Sequence, residues 1–462
     1  MKNKIRFAAC VAACTAAIAA AQDKPHEKLA FDIYRELIEI QTVTDRGDTG
    51  QAADAMAARL KAAGFTDEDV RVFKPAPRKG NLVARLRGTG ARKPILLMAH
   101  IDVVEAKRED WTSDPFKLVE KDGFYYARGS TDDKFMASAF VANLIRYKQE
   151  GFRPDRDLVL VLETDEEIGD ANGLGIQWLI KNHHDLLDAD FALNEGAGVG
   201  LKDGKPLRIG VQTSEKIYVT YQLEARDKGG HSSQPGQENA IYRLAAALTR
   251  LSKHQFPVHL NETTRAWLVR AAALEDARTG ADMRSVASAK PDPAAVARLS
   301  AKPPYNAQLR TTCVATMVNA GHAANALPQS ARATVNCRVL PNESPADVEK
   351  TLARVIGDDK IAITVAEVPG RSGPSPLRPD VMGTIEKVGA PFWPGAPVIP
   401  SMSAGATDGR FLRAAGIPTY GHGGGAFEID ENRAHGKDER MPVKSFYQGL
   451  EYLYQLVKAL AS

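Results

Sequence analysis

Cysteine is scarce in this chain. There are four in 462 residues, and Cys10 and Cys14 fall within the first 21 positions. That leaves Cys313 and Cys337, which excludes a cysteine-rich zinc module. Runs of Lys or Arg interleaved with aromatics are also missing, so nucleic acid is not an expected partner. The 60 Lys and Arg include three in the first 21 residues, and the remainder balances the 57 Asp and Glu. No G-x-S-x-G elbow accompanies His422-Gly-Gly-Gly425, so a serine hydrolase is not expected. Gly196–Gly200 lacks dinucleotide-fingerprint spacing, and no internal repeat is visible.

Composition is ordinary for a globular protein: 44% hydrophobic and 25% charged residues argue against disorder. The length favours more than one domain. The N-terminus differs from the rest. Lys2, Lys4 and Arg6 precede an Ala-rich apolar stretch that ends in Ala19-Ala20-Ala21. This is the pattern of a cleaved secretory signal over residues 1–21, which implies a periplasmic or secreted protein. The stretch is too short and weakly apolar for a membrane span. A second reading is lipidation, since Val11-Ala12-Ala13-Cys14 resembles a lipobox.

Alternating apolar runs and helical patterns predict an α/β layer with a largely parallel sheet. Helix is expected over 28–64 and over 134–149. Strands are expected at 81–86, 94–99, 158–162 and 191–193, the second and third apolar throughout, as buried strands are. From about residue 213 the pattern becomes that of a half-exposed antiparallel sheet: 217–223, then a helix over 239–251, a polar Pro-punctuated stretch to about 305, a hairpin of 311–318 with 331–339, and a helix over 346–356. Residues 213–373 therefore read as an α+β domain inserted between 22–212 and 374–462, with a hinge near 370–378. Cys313 and Cys337 lie in the two hairpin strands; a cross-strand disulfide and two buried free thiols are both open readings.

Chemistry concentrates at strand ends. His100 and Asp102 follow one apolar strand, Asp132 and Asp133 open the turn into a helix, Glu166 and Glu167 trail another strand, and Glu195 follows a third. Ligand sites of open α/β sheets gather beyond the carboxyl ends of the strands, so these groups can converge. Adjacent buried carboxylates are costly without a cation. One His with several carboxylates suits a divalent ion, and hydrolysis favours zinc. His183-His184, in a polar helix end, reads as solvated.

The segments HIDVVEAKREDW, GFYYARGSTDDK, TDEE, NEG at 194–196, GGHSSQP at 229–235, NALP at 325–328, CR at 337–338, GATDGRF at 405–411 and HGKDER at 435–440 together resemble the aminoacylase/carboxypeptidase family of dinuclear zinc hydrolases. That family includes glutamate carboxypeptidases, acetylornithine and succinyl-diaminopimelate deacylases and carnosinase-like dipeptidases. The resemblance implies two zinc ions, with His100 and Glu195 on one, Glu167 and His435 on the other, and Asp132 between them. It implies that Asp102 orients His100 and that Glu166 is the general base. His231 would polarise the scissile carbonyl, often in the partner subunit of a homodimer, and Asn325, Arg338 and Thr407 would hold the substrate. The inserted domain would then be a lid and dimerisation domain.

Without the resemblance, His231 reads as a surface-loop residue, and Asn325 and Arg338 as a turn Asn and a surface Arg. Asp133 reads equally as a helix N-terminal carboxylate. Two departures stand out: Phe135, where many relatives have Gly, and the extended stretch 262–305, which short deacylases lack. The expected substrate is a small peptide or an N-acyl amino acid, cleaved beside a free carboxylate. A silent binding protein and a dinuclear phosphoesterase are the competing classes.

Overall fold

The computed structural model describes residues 24–366, 370 and 372–462. The signal reading for 1–21 lies outside the described residues. The fold is α/β around a mixed ten-stranded sheet whose central strands run parallel. The strand Ile95–His100 lies between Leu158–Glu163 and Phe191–Asn194, parallel to both. Thr419–Gly421 extends the parallel set beside Phe191–Asn194. Both faces of these strands are covered, which is why Ile95–Ala99 and Leu158–Leu162 are apolar at every position.

The helix Lys134–Gln149 is buried around nearly its whole circumference. Phe135 packs on Phe446, at 5.6 Å between ring centres. Gly449 makes room for it, because a Cβ there would lie 2.7 Å from the Phe135 ring.

Helix over 28–64 is interrupted. Pro25–Glu39 and Thr49–Ala62 are separate helices, the second capped by Asp48, which accepts from the Gln51 amide at 2.8 Å. The break lets Val43 bridge to Val103 and lets the Thr44 hydroxyl donate to Asp102 at 3.4 Å. Glycine is needed at 47, where a Cβ would sit 2.4 Å from the Val43 nitrogen.

The antiparallel sheet has the order Thr312–Ala320, Ser330–Val339, Ile217–Arg226, Ile361–Val365. Residues of Ile217–Arg226 alternate between buried and more exposed. The helices Ala240–Lys253 and Pro345–Ile356 supply Leu244, Leu251, Leu352 and Ile356 to the core on one face. Cys313 and Cys337 are direct register partners with Cα atoms 4.1 Å apart, and they form a disulfide.

The polar stretch before 305 holds four helices: Glu262–Ala271, Ala277–Ala287, Pro293–Ser300 and Pro303–Leu309. Pro293, Pro303 and Pro304 stand in first helical turns, where a missing N–H costs nothing, and Asn261, Asp276 and Asp292 cap the starts. These helices form a core of their own with Ile399, from the strand Val398–Ser403 of the large sheet. Among the described residues no helix is long and apolar enough to cross a membrane.

Candidate metal centre

His100 is the last residue of its strand and is fully buried, so its ring is fixed by the sheet. Its Nε2 lies 3.0 Å from Asp132 Oδ1. The other Asp132 oxygen lies 3.3 Å from His435 Nε2, and that nitrogen is 2.9 Å from Glu167. One carboxylate thus stands between two imidazoles, with one oxygen towards each. His100, Asp132 and Glu167 form one group of converging donor atoms, and His100, Glu166 and Glu195 form another. The Asp132–Asp133 peptide is cis.

Asp102 is fully buried, and its carboxylate accepts from the Glu166 and Glu167 amides, each at 3.2 Å. Its own carbonyl lies 3.1 Å from His100 Nδ1, with the carboxylate at 3.6 Å. Asp102 therefore links the His100 ring to the turn that carries both glutamates. Asp165, at φ 69°, makes that turn, and Lys79 pairs with its buried carboxylate at 2.5 Å.

The electrostatics are those of crowded carboxylates around two imidazoles. Asp132 and Glu167, accepting hydrogen bonds from the His435 ring, lift His435 to about 10. Burial opposes protonation of His100, but Asp102 and Asp132 outweigh it and hold the ring well above its ordinary value. Burial also works to raise Asp132, yet the two histidines keep it below the usual carboxylate range. Burial, reinforced by Glu167, Asp102 and Asp132, pushes Glu166 up to about 7. Burial, followed by the Glu166 charge, drives Glu195 well upward. A site with this much buried negative charge and no Lys or Arg among its donors suits divalent cations. The converging donors of His100, Asp132 and Glu167, and of His100, Glu166 and Glu195, could hold them, with His435 beside Asp132 and Glu167.

Asp133 occupies the N-cap of the helix Lys134–Gln149 but makes no capping bond, and its buried Oδ2 has no partner. Burial pushes it well above the carboxylate range. Two other buried carboxyls were not singled out from the sequence. Glu163 and Asp408 lie against one another behind Glu166; both are pushed well up, first by burial. Their signal was the acidic residue within GATDGRF, but only the fold brings it to the end of a neighbouring strand.

The remaining expected residues lie elsewhere. His231 is exposed in a two-residue ribbon, Gly230–His231, paired with Ala326–Leu327. Asn325 adjoins it, its carbonyl accepting from the Ser232 amide at 3.0 Å. The His231 ring bonds only to Ser233, within its own turn. Arg338 lies over the Tyr218 ring at 4.6 Å. Thr407 is buried, and its amide donates to Glu215 at 2.5 Å. His422 is buried between the Gly210 carbonyl and the Tyr452 hydroxyl, a structural role. A cavity of about 640 Å³ opens beside His435, with Lys107, Trp111, Arg128 and Lys437 in its wall.

Residues 96–459 match the profile of peptidase family M20/M25/M40. The chain belongs to this family. Among M20 relatives, a probable carboxypeptidase S-like 2 of Dictyostelium discoideum is 30% identical over 381 residues, covering 79% of this chain and 71% of that protein. The N-fatty-acyl-amino acid synthase/hydrolase PM20D1 of Xenopus tropicalis is 30% identical over 376 residues, covering 79% and 72%. The M20 metallo-carboxypeptidase Sso-CP2 from Sulfolobus solfataricus shares the fold at TM-score 0.68 and 18% identity, covering 94% of this chain and 99% of that one. The protein is therefore a metal-dependent M20 hydrolase of the carboxypeptidase/aminoacylase type.

Proposed function

We propose that this M20 protein hydrolyses an amide bond next to a free carboxylate, as a carboxypeptidase or dipeptidase, and binds two zinc ions. The observation that carries this reading is Asp132 standing between His100 and His435, with Glu166 beside them. When bound, such an ion pair acidifies a water and polarises the scissile carbonyl. His100 and Glu195 would hold one ion, Glu167 and His435 the other, and Asp132 both.

Glu166 is then free to act as the base. It takes the proton of the attacking water and returns it to the leaving amine. In the metal-free site burial and the neighbouring carboxylates push its pKa up to about 7. Asp102 fixes the base through its amide and orients His100. His231 and Asn325 would meet the scissile carbonyl, Thr407 would contact the substrate, and Arg338 would pair with its free carboxylate.

We further propose that residues 213–373 are a lid and dimerisation domain and that the protein is a homodimer. The edge strand Thr312–Ala320 exposes Val314, Met317 and Val318 at 60% or more, and an unpaired apolar edge invites another strand. Periplasmic location or secretion is supported by the N-terminal pattern and by the Cys313–Cys337 disulfide.

N-acyl-amino-acid deacylation by the same residues is the second reading, favoured by the similarity to the PM20D1 protein. A mass-spectrometric screen of dipeptides, C-terminally amidated dipeptides and N-acyl amino acids, with zinc and with chelator, tests both. Cleavage of free but not amidated C-termini is expected. Turnover unaffected by chelator, or equal cleavage of amidated substrates, would overturn the proposal.

A further inference from the structure

Arg128 and Glu439 are 311 residues apart in sequence and form an ion pair at 2.7 Å, with side chains 3% and 1% exposed. Apart from the Thr131 hydroxyl, their other hydrogen-bond partners are backbone groups around the metal centre. Glu439 Oε1 accepts from the Thr131 amide at 2.7 Å, the Thr131 hydroxyl at 2.9 Å and the Asp132 amide at 3.2 Å. Its Oε2 also accepts from the Gly129 amide at 3.0 Å. Arg128 Nη2 donates to the Gly436 carbonyl at 3.0 Å, the His435 carbonyl at 3.3 Å and the Glu105 carbonyl at 3.5 Å. His435 has φ 62°, a conformation most side chains avoid, so its backbone needs outside support.

A buried ion pair contributes little to stability compared with a well-packed apolar replacement. The value of this one lies in what it aligns. The chain of contacts runs from the Asp132 amide through Glu439 and Arg128 to the His435 carbonyl, joining the two backbones whose side chains meet at 3.3 Å.

We infer that Arg128 and Glu439 are positioning residues which set the distance between the Asp132 and His435 donors and so set metal affinity. This rests on the reading of Asp132 and His435 as metal ligands. Arg128 bonds directly to the His435 backbone and reaches Asp132 through Glu439, so its loss acts first on the ion held by His435. Glu439 holds the backbone of the shared ligand, so it governs both.

The test uses metal-free full-length protein titrated with Zn2+ and with Co2+ against a competing chelator. Co2+ absorption reports coordination, and thermal unfolding is followed in parallel. Arg128→Lys is expected to weaken one ion about 10–100-fold and leave the other near wild type. Glu439→Gln is expected to weaken both and to alter the Co2+ spectrum. Thr131→Val removes a single donor with little change of shape; a few-fold loss is expected, and it keeps the test open if the other variants fold poorly. Wild-type affinity and spectrum for both ions in the folded variants, with only a lower Tm, would overturn the inference. Asp132→Asn and His435→Ala are the controls. Full binding of two ions by these would sink the ligand reading itself, whereas their loss alongside unchanged Arg128 and Glu439 variants would sink only the positioning role.

Discussion

The two groups of residues proposed to act on one substrate are built in opposite ways. Around Asp132 each side chain is anchored to a strand end or a tight turn and cross-braced by buried partners: Asp102 holds two amides, and Glu439 holds three and a hydroxyl. Around His231 the residues are exposed on a short ribbon and bond mainly within their own turn. A centre that must gather like charges needs rigid support before any ligand arrives. In the proposed arrangement His231 is solvated until the 213–373 domain or a second subunit brings it to the substrate. The difference separates residues that make the reaction possible from residues that complete it.

The largest effect should come from the rigid half. Glu166→Gln is expected to retain both ions, because its partner Glu167 and the other donors remain, while turnover falls on the order of 10³-fold. Metal content by mass spectrometry and single-turnover rates check this together. Substantial residual turnover with full metal would remove Glu166 from the role of base.

His231→Ala should fold as wild type, since the ring has no buried contact, and should lose on the order of 10²-fold in kcat, the usual cost of one donor at a developing oxyanion. In a homodimer with composite sites, mixing and refolding His231→Ala with Glu166→Gln protein should return part of the activity. Unchanged kcat in the single variant would make His231 a surface residue, and the contrast between the two halves would lose its functional meaning.

How legible these halves were in the sequence follows from the same contrast. Histidine and paired acidic residues at or shortly after fully apolar runs, as at His100 and Glu166-Glu167, were visible because strand ends in an α/β sheet are local events. The motif Gly-Gly-His-Ser-Ser was visible only through resemblance, because an exposed ribbon leaves no periodicity. Arg128–Glu439 and Glu163–Asp408 were hidden for another reason. Each joins segments hundreds of residues apart, and a charged residue before burial looks like any solvated one. The break at 40–48 was masked by the apolar spacing on either side, which reads through Asp48 as one helix. The helices of 262–309 were hidden by prolines that mark starts and not stops.

Arg338→Lys isolates carboxylate recognition. Lysine keeps the charge but loses the planar fork, so KM for substrates with a free C-terminus should rise about tenfold, with kcat little changed. C-terminally amidated substrates should show no such rise. Equal effects on both classes would mean that Arg338 supports the Tyr218 surface and does not read the substrate.

The smallest expected effect lies where the two halves join. Lys216 separates Lys205–Glu215 of the large sheet from Ile217–Arg226 of the smaller one. Its Nζ donates to the Arg310 carbonyl at 2.7 Å, and burial pushes its pKa down to about 7, partly offset by Glu343. At Lys216 the unfolded chain therefore binds one more proton than the folded one between about pH 7 and 10, so this lysine's contribution to stability rises with pH across that window, by at most about 1.4 kcal/mol per unit. Lys134, likewise lowered to about 7 by burial, acts in the same direction, and His435, lifted to about 10, acts in the opposite one. Lys216→Met should thus make the slope of stability against pH less positive than in wild type, as urea unfolding of the metal-free protein at pH 7.5, 8.5 and 9.5 would record. Parallel curves for variant and wild type would mean that the junction solvates this lysine. The crossing between rigid centre and inserted domain would then be looser than its hydrogen bonds indicate.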